Sequence, residues 1–203
     1  MAVSNVSICN LALQKLGASR IDSLSDASKN ARECNACFEA MRDRELRANR
    51  WKFACRRVTL AASSVIPDFF YAQAFLLPPD CLRPIFPPRL GLDWKVENHE
   101  GVPAILTNDG TTLQLRYVAK ISDPTQFDAL FVEALACKIA WHLCEALTQS
   151  NTKKQAAQQE YVLAIREARR MNAIEIGTLK QPIDEWLLAR RTGQLVNSEW
   201  EQE

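Results

Sequence analysis

The residues best equipped for chemistry in this chain are Cys34 and Cys37, a Cys-x-x-Cys pair inside ARECNACFEAMRDRELRANRWKFA (31–54). Such a pair supplies half of a zinc site or the two thiols of a redox motif. Structural zinc takes four ligands, yet Cys9, Cys55, Cys81, Cys137, Cys144, His99 and His142 all stand singly. No βαβ pattern surrounds the pair, as a thioredoxin-like site requires. Cys34 falls on the apolar stripe of a helical pattern with Cys37 one turn on, and a free cysteine there packs as a small hydrophobe. The pair is read as packing, with no metal and no cofactor.

The same stretch opens an arginine run: Arg42, Arg44, Arg47, Arg50, then Lys52, Arg56 and Arg57. Guanidinium groups on one helix face are suited to phosphate. The alternative is a helix facing solvent or another subunit, in which Arg42 and Arg47 relieve repulsion between Glu39 and Asp43. With a formal net charge of only +1 over 203 residues, the second reading is favoured, because nucleic-acid binders usually carry a large positive excess. His142, between Trp141 and Leu143, reads as a core or interface histidine. Glu133 and Glu145 could act as paired carboxylates only if the fold brought them together. Nucleophile-elbow, phosphate-loop, zinc-protease and dinucleotide signatures are absent from the sequence, so no enzymatic activity is expected.

These residues are positioned by a chain of ordinary globular composition, 47% hydrophobic and 24% charged. Its opening residues, MAVSNVSICNLALQKLG, lack the basic region of a secretory signal. The seven cysteines, an odd number, are therefore expected to be reduced thiols made in a cytosol. No apolar run approaches the roughly 18 residues a membrane span needs.

Hydrophobic spacing predicts a helix from Ser4 or Asn5 to Leu16, ended by Gly17, and a short connection over 18–25. A second helix is expected from Ser25 or Asp26 to about Arg50. Its stripe is Ala27, Ala31, Cys34, Phe38 and Met41, with Arg32, Glu39, Asp43 and Arg50 opposite. After Trp51 the period changes, and WKFACRRVTL reads as a strand or arm. Pro67, Pro78, Pro79, Pro84, Pro87 and Pro88 allow only short edge strands such as YAQAFLL and CLRPIF. DWKVENH, AILTN and TTLQLRYVAK read as strands, with Asn108-Asp109-Gly110 as a hairpin turn. Ser122-Asp123-Pro124 opens a third helix reaching Thr148. That helix is apolar on most sides, so it must be the centre of the fold or be covered by another subunit. A fourth helix runs from Asn151 or Thr152 to near Gly177. The fold class is α+β, mainly α: an antiparallel helix bundle (1–50 and 122–177), a small antiparallel β-rich insertion (51–121) and an extended C-terminal tail (178–203).

The order of these pieces resembles the tail tubular protein A family, the head-to-tail adaptors of short-tailed bacteriophages. The resemblance rests on the N-x-x-L-x-x-L-G opening (NLALQKLG), the connection IDSLSD, the long Ala-rich helix and the Trp-x-Phe exit at Trp51 and Phe53. It continues through LPPDCLRPI, AILTN, LQLRYVAKISDPTQFDALFVEALACKIAWHLCEALT and KKQAAQQEYVLAIREARRMNA, and covers residues 5–176.

The resemblance implies a structural virion protein at the head–tail junction, synthesised in the host cytoplasm. It implies a ring of twelve copies that joins the portal protein to a tail nozzle and extends the channel for DNA ejection. DNA would pass without specific binding, no membrane would be involved, and nozzle or fibre proteins would meet the β-rich side. Trp186, Leu187, Leu188 and Trp200, aromatic and apolar residues in a polar tail, are expected to bind the portal. Arg42, Arg47, Arg50 and Trp141 are expected at the subunit interface. The rivals are a sequence-tolerant DNA-binding protein using the arginine-rich 42–57 segment, a cell-wall hydrolase using Glu133 or Glu145, and another tail-completion or connector protein.

Overall fold

A computed structural model describes residues 3–85 and 93–176. Helix α1 (Asn5–Leu16) begins at a reciprocal cap: Ser4 Oγ accepts from the Ser7 amide, and Ser7 Oγ accepts from the Ser4 amide. It ends at Gly17, whose φ of +72° suits a residue without Cβ. The NLALQKLG motif thereby acquires a physical meaning. Leu13 and Leu16 are buried. Asn10 pins the following connection by donating to the Ile21 carbonyl at 2.8 Å and accepting from the Ile21 amide at 2.9 Å.

Helix α2 (Lys29–Ala48) is capped by Ser28, three residues later than Ser25. Asp26, the other expected cap, instead accepts from the Asp22 and Ser23 amides and closes the connection. The helix gives way at Trp51, which is buried and donates from Nε1 to the Glu45 carbonyl at 2.8 Å. Asn172 then clamps the exit, holding the Arg50 carbonyl and the Lys52 amide at 2.9 Å each. A 3-10 turn at Lys52–Ala54 leads into strand β1 (Cys55–Ala61). Trp51, Phe53, Phe127 and Phe131 pack ring against ring, with Trp51 edge-on to Phe131 at 5.0 Å.

The remaining strands are β2 (Gln73–Leu76), β3 (Cys81–Ile85), β4 (Trp94–His99), β5 (Val102–Thr107) and β6 (Thr112–Ala119). They form two antiparallel sheets, ordered β1-β6-β3 and β2-β5-β4. The proline-flanked β2 and the proline-containing β3 are edge strands, as expected. The Asn108-Asp109-Gly110 turn is not a hairpin, however. It carries the chain from β5 in one sheet to β6 in the other. Strand β6 pairs with the distant β1 and β3, and β5 is already paired on both sides by β2 and β4, so tertiary pairing overrides the local turn signal. Asn108 instead accepts from the Ala72 amide at 2.8 Å. The actual hairpin joins β4 to β5 through Glu100 and Gly101, both at positive φ as a type I′ turn demands.

Asp123 and Pro124 make only a 3-10 turn, Pro124–Gln126. A second cap, Asp128, accepting from the Leu130 amide, starts helix α3 (Ala129–Thr148). Gln149, at φ +50°, turns the chain into helix α4 (Asn151–Ile176). Helix α3 is the centre of the fold. It lies against α1, α2 and α4, and Val132, Leu135, Ile139 and Leu143 are buried within the chain. Leu113, Leu115, Tyr117 and Val118 of β6 join the same core as the helices, whereas β2-β5-β4 adds a small cluster of Ala74, Ala104 and Leu106. No helix among the described residues is long and apolar enough to cross a membrane.

Candidate functional site

The residues suspected of chemistry are dispersed. Cys34 and Cys37 are buried beside Cys9 of α1, and Cys37 Sγ lies 3.6 Å from the Cys34 carbonyl. The Cys9 thiol is pushed up by its hydrogen bond to Cys34 and then by burial. Burial pushes Cys37 up to about 12. The hydrogen bond with Cys9 pushes the Cys34 thiol down, but Cys34 is fully enclosed, and a thiol needs access as well as thiolate character to act as nucleophile or ligand. Among the described residues no group of three or more His, Cys, Asp or Glu could hold a metal ion. Glu133 pairs with Lys15 at 2.7 Å, and Glu145 pairs with Lys154. The twelve positions between these carboxylates span about 18 Å of helix, too far for a shared reaction centre. His142 is exposed rather than in the core. A groove of ≈ 580 Å³ between Asn5, Leu24, Phe38 and Asp43 also carries Glu39, and both carboxylates are engaged, Asp43 by Arg42 and Lys120 and Glu39 by Arg42.

The arginine run is divided by the fold. Arg42, expected at a subunit interface, is 1% exposed and cannot reach a neighbour. It continues the inner stripe of α2 from Phe38, where Met41 was expected, and its charge is met by Asp43 at 2.8 Å and Glu39 at 3.8 Å. The anticipated relief of Glu39 and Asp43 by Arg42 is therefore real, but Arg47 takes no part. It donates to the Leu82 carbonyl of β3. Arg56 pairs with Asp80. Arg50 is exposed. Trp141 is half-buried, stacked on Tyr161 of α4 with ring centroids 5.8 Å apart, and the Lys138 ammonium lies 4.4 Å from its ring centre. Trp186, Leu187, Leu188 and Trp200 lie outside the described residues.

Two features lie outside the sequence motifs. One is a buried polar knot joining α2, α3 and α4. Glu45, 3% exposed, accepts from the Tyr161 hydroxyl at 2.8 Å and faces the Lys138 ammonium at 4.0 Å. Burial and then Glu45 push the Tyr161 hydroxyl up, while burial pushes Lys138 down. This knot fixes helix register, since each partner would be costly to bury alone.

The other is an apolar tip on the loop before β2. Ile66 is 66% exposed, Phe69 72% and Phe70 85%. The two rings pack edge to face on one another, 5.1 Å apart. Phe70 has φ +66°, an outlier for a bulky residue. His99 Nε2 meets the Val65 carbonyl at 3.1 Å and ties the loop to β4. The signal in the sequence was VIPDFFY, four large apolar residues in a proline-broken loop where a water-facing segment should be polar.

No family model matches the chain, and no curated protein matches it.

Proposed function

We propose that this protein is a structural assembly component, a head-to-tail adaptor of a short-tailed bacteriophage. In this reading it forms a ring that joins the portal to the tail nozzle. The observation that carries the reading beyond the resemblance is the apolar tip of Ile66, Phe69 and Phe70. A lone chain gains nothing from presenting two phenylalanines to water, and strain of the Phe70 kind concentrates at working sites. Aromatic residues of this sort anchor protein interfaces. The tip sits on the β-rich side, where the adaptor reading puts the nozzle or fibre proteins. Trp186, Leu187, Leu188 and Trp200 would serve the portal end. The exposed part of Trp141 remains available to a neighbouring subunit, and Arg42 drops out.

The test is mass by light scattering after size exclusion, with and without the portal protein of the same phage. The adaptor reading expects a ring, or a monomer that enters a large complex when portal is added. Phe69→Ser/Phe70→Ser should leave that complex intact but abolish capture of the nozzle protein. A monomer indifferent to portal would overturn the proposal.

A further inference from the structure

The β1-β6-β3 sheet turns one face to the core; on the other, Val118 and Ile85 are buried, Arg83 and Arg116 are half-buried, and Arg57 is exposed. The core face carries Leu113, Leu115 and Tyr117. The other is traced by register: Arg57 stands opposite Arg116, and Arg116 opposite Ile85. Two residues along, Val118 lies between Cys55 and Arg83. Arg57, Arg116 and Arg83 therefore share a face, since side chains alternate along each strand. Their companions toward the far end are Thr59 opposite Gln114 and Ala61 opposite Thr112, all exposed. The end of α2 extends the strip, with Arg47 bonded to the Leu82 carbonyl and Arg50 exposed nearby.

This arrangement is unfavourable in the isolated chain. Like charges directly opposite in a sheet repel, and Arg57 and Arg116 are such a pair. Burial, then Arg50, then Arg47, push the Arg83 guanidinium down, which reports three cations crowded together. None of Arg47, Arg50, Arg57, Arg83 or Arg116 has an ion pair among the described residues. The neighbouring carboxylates Asp43, Asp80 and Glu175 are engaged by Arg42 and Lys120, by Arg56, and by Lys52. The second sheet and its flanking turns have the opposite character, with Asp93, Glu97, Glu100 and Asp109 against Lys95 among the described residues from 93 to 109. A net charge of +1 therefore conceals two lobes of opposite sign.

We propose that the outer face of the β1-β6-β3 sheet, with Arg47 and Arg50, binds the phosphate backbone of duplex DNA without sequence preference. Guanidinium forks match phosphate oxygens, and Thr59, Thr112 and Gln114 add neutral donors. The cations are spread across three strands about 4.8 Å apart, which fits a line of phosphates better than a point anion. Single strands are bound through stacked aromatics, and this face has none among the described residues. An acidic peptide would use apolar pockets between the charges, and among the described residues of this face only Ala61 is apolar and exposed. The acidic sheet repels DNA and so directs it to this side. The inference stands independently of the adaptor reading.

The experiment is fluorescence anisotropy of the full chain with a labelled mixed-sequence duplex over a salt series. Each phosphate neutralised contributes about −0.9 to the slope of log affinity against log salt. Five contacts predict about a 500-fold loss of affinity between about 50 and 200 mM salt, falling to about 40-fold in Arg57→Gln/Arg116→Gln. Arg50→Gln, on the helix end, should lower the slope by about one by itself, and it serves if the double variant fails to fold. Arg32→Gln, on the far part of α2, should change nothing. Absence of duplex binding, an unchanged slope in both variants, or equal displacement of DNA by polyglutamate at matched charge would each overturn the proposal.

Discussion

Replacing Tyr161 with Phe removes one oxygen and nothing else from the helical core. In the native chain that oxygen donates to Glu45 at 2.8 Å, and Glu45 is 3% exposed. The other carboxylate oxygen, Oε2, already lacks a partner. Without the hydroxyl, the carboxylate keeps only the Lys138 ammonium at 4.0 Å, beyond good hydrogen-bond length. A hydrogen bond to a charged group contributes about 1.5–3 kcal/mol, and no water can readily replace it in so closed a site. A loss of about 2 kcal/mol in a chain of this size lowers Tm by about 4–8 °C. Urea unfolding followed by circular dichroism measures the change directly. The pH dependence gives a second readout. Unfolded tyrosine releases its proton near about pH 10, whereas folded Tyr161 holds it longer because of burial and then Glu45. Above that pH the unfolded state binds fewer protons, so native stability falls as pH rises. In Tyr161→Phe that fall should be shallower. Tyr117, also raised by burial and by Asp80, keeps its own share. A variant within about 0.5 kcal/mol of the native protein, with an unchanged alkaline slope, would refute the account of the knot.

Asn172→Ala should cost about 2 kcal/mol in the same urea assay, because it strands the Arg50 carbonyl and the Lys52 amide at the turn from α2 into β1; an unchanged midpoint would mean that α4 does not hold this exit. Thiol titration at pH 8 should find no more than two reactive cysteines in the native chain, the half-buried Cys55 and Cys81, and all seven after denaturation. Cys81 should react slowly, since burial and then Asp80 push its thiol up to about 11. Rapid labelling of Cys34 or Cys37 would show that the α1–α2 contact opens.

The helices were legible because their signals are local. Ser4, Gly17, Ile8, Ala12 and Leu16 declare α1 by cap and period alone, although Leu11, on the same expected stripe, is exposed and Leu13 is buried; the end of α3 at Thr148 and the start of α4 at Asn151 follow the same logic. Six strands were readable as segments, and the prolines placed β2 and β3 at edges for a simple reason, the missing amide proton. Where one local signal had two uses, the sequence misled. Asp26 and Asp123 both look like helix caps, yet each closes a short turn, and Ser28 and Asp128 begin the helices.

The side of the chain that each residue faces was a different matter. Arg42 and Met41 are adjacent, and a small rotation of α2 decides which turns inward; only contact with the rest of the core makes that choice, and it enclosed an arginine whose charge Asp43 and Glu39 could meet. Pairing between strands also depends on segments far apart in the chain, so Asn108-Asp109-Gly110 could announce a turn without revealing that it passes between sheets. The same holds for the candidate surfaces. The sequence by itself determined the element types, the apolar character of α3 and the lack of familiar catalytic motifs, because caps, periods and motifs are read over a few neighbouring residues. Tertiary structure alone decided that α3 is covered by its own chain, that Glu45, Lys138 and Tyr161 meet, and that Arg57, Arg83 and Arg116 share one face. Each depends on which distant segments pack together, and burial and charge take effect only across that packing.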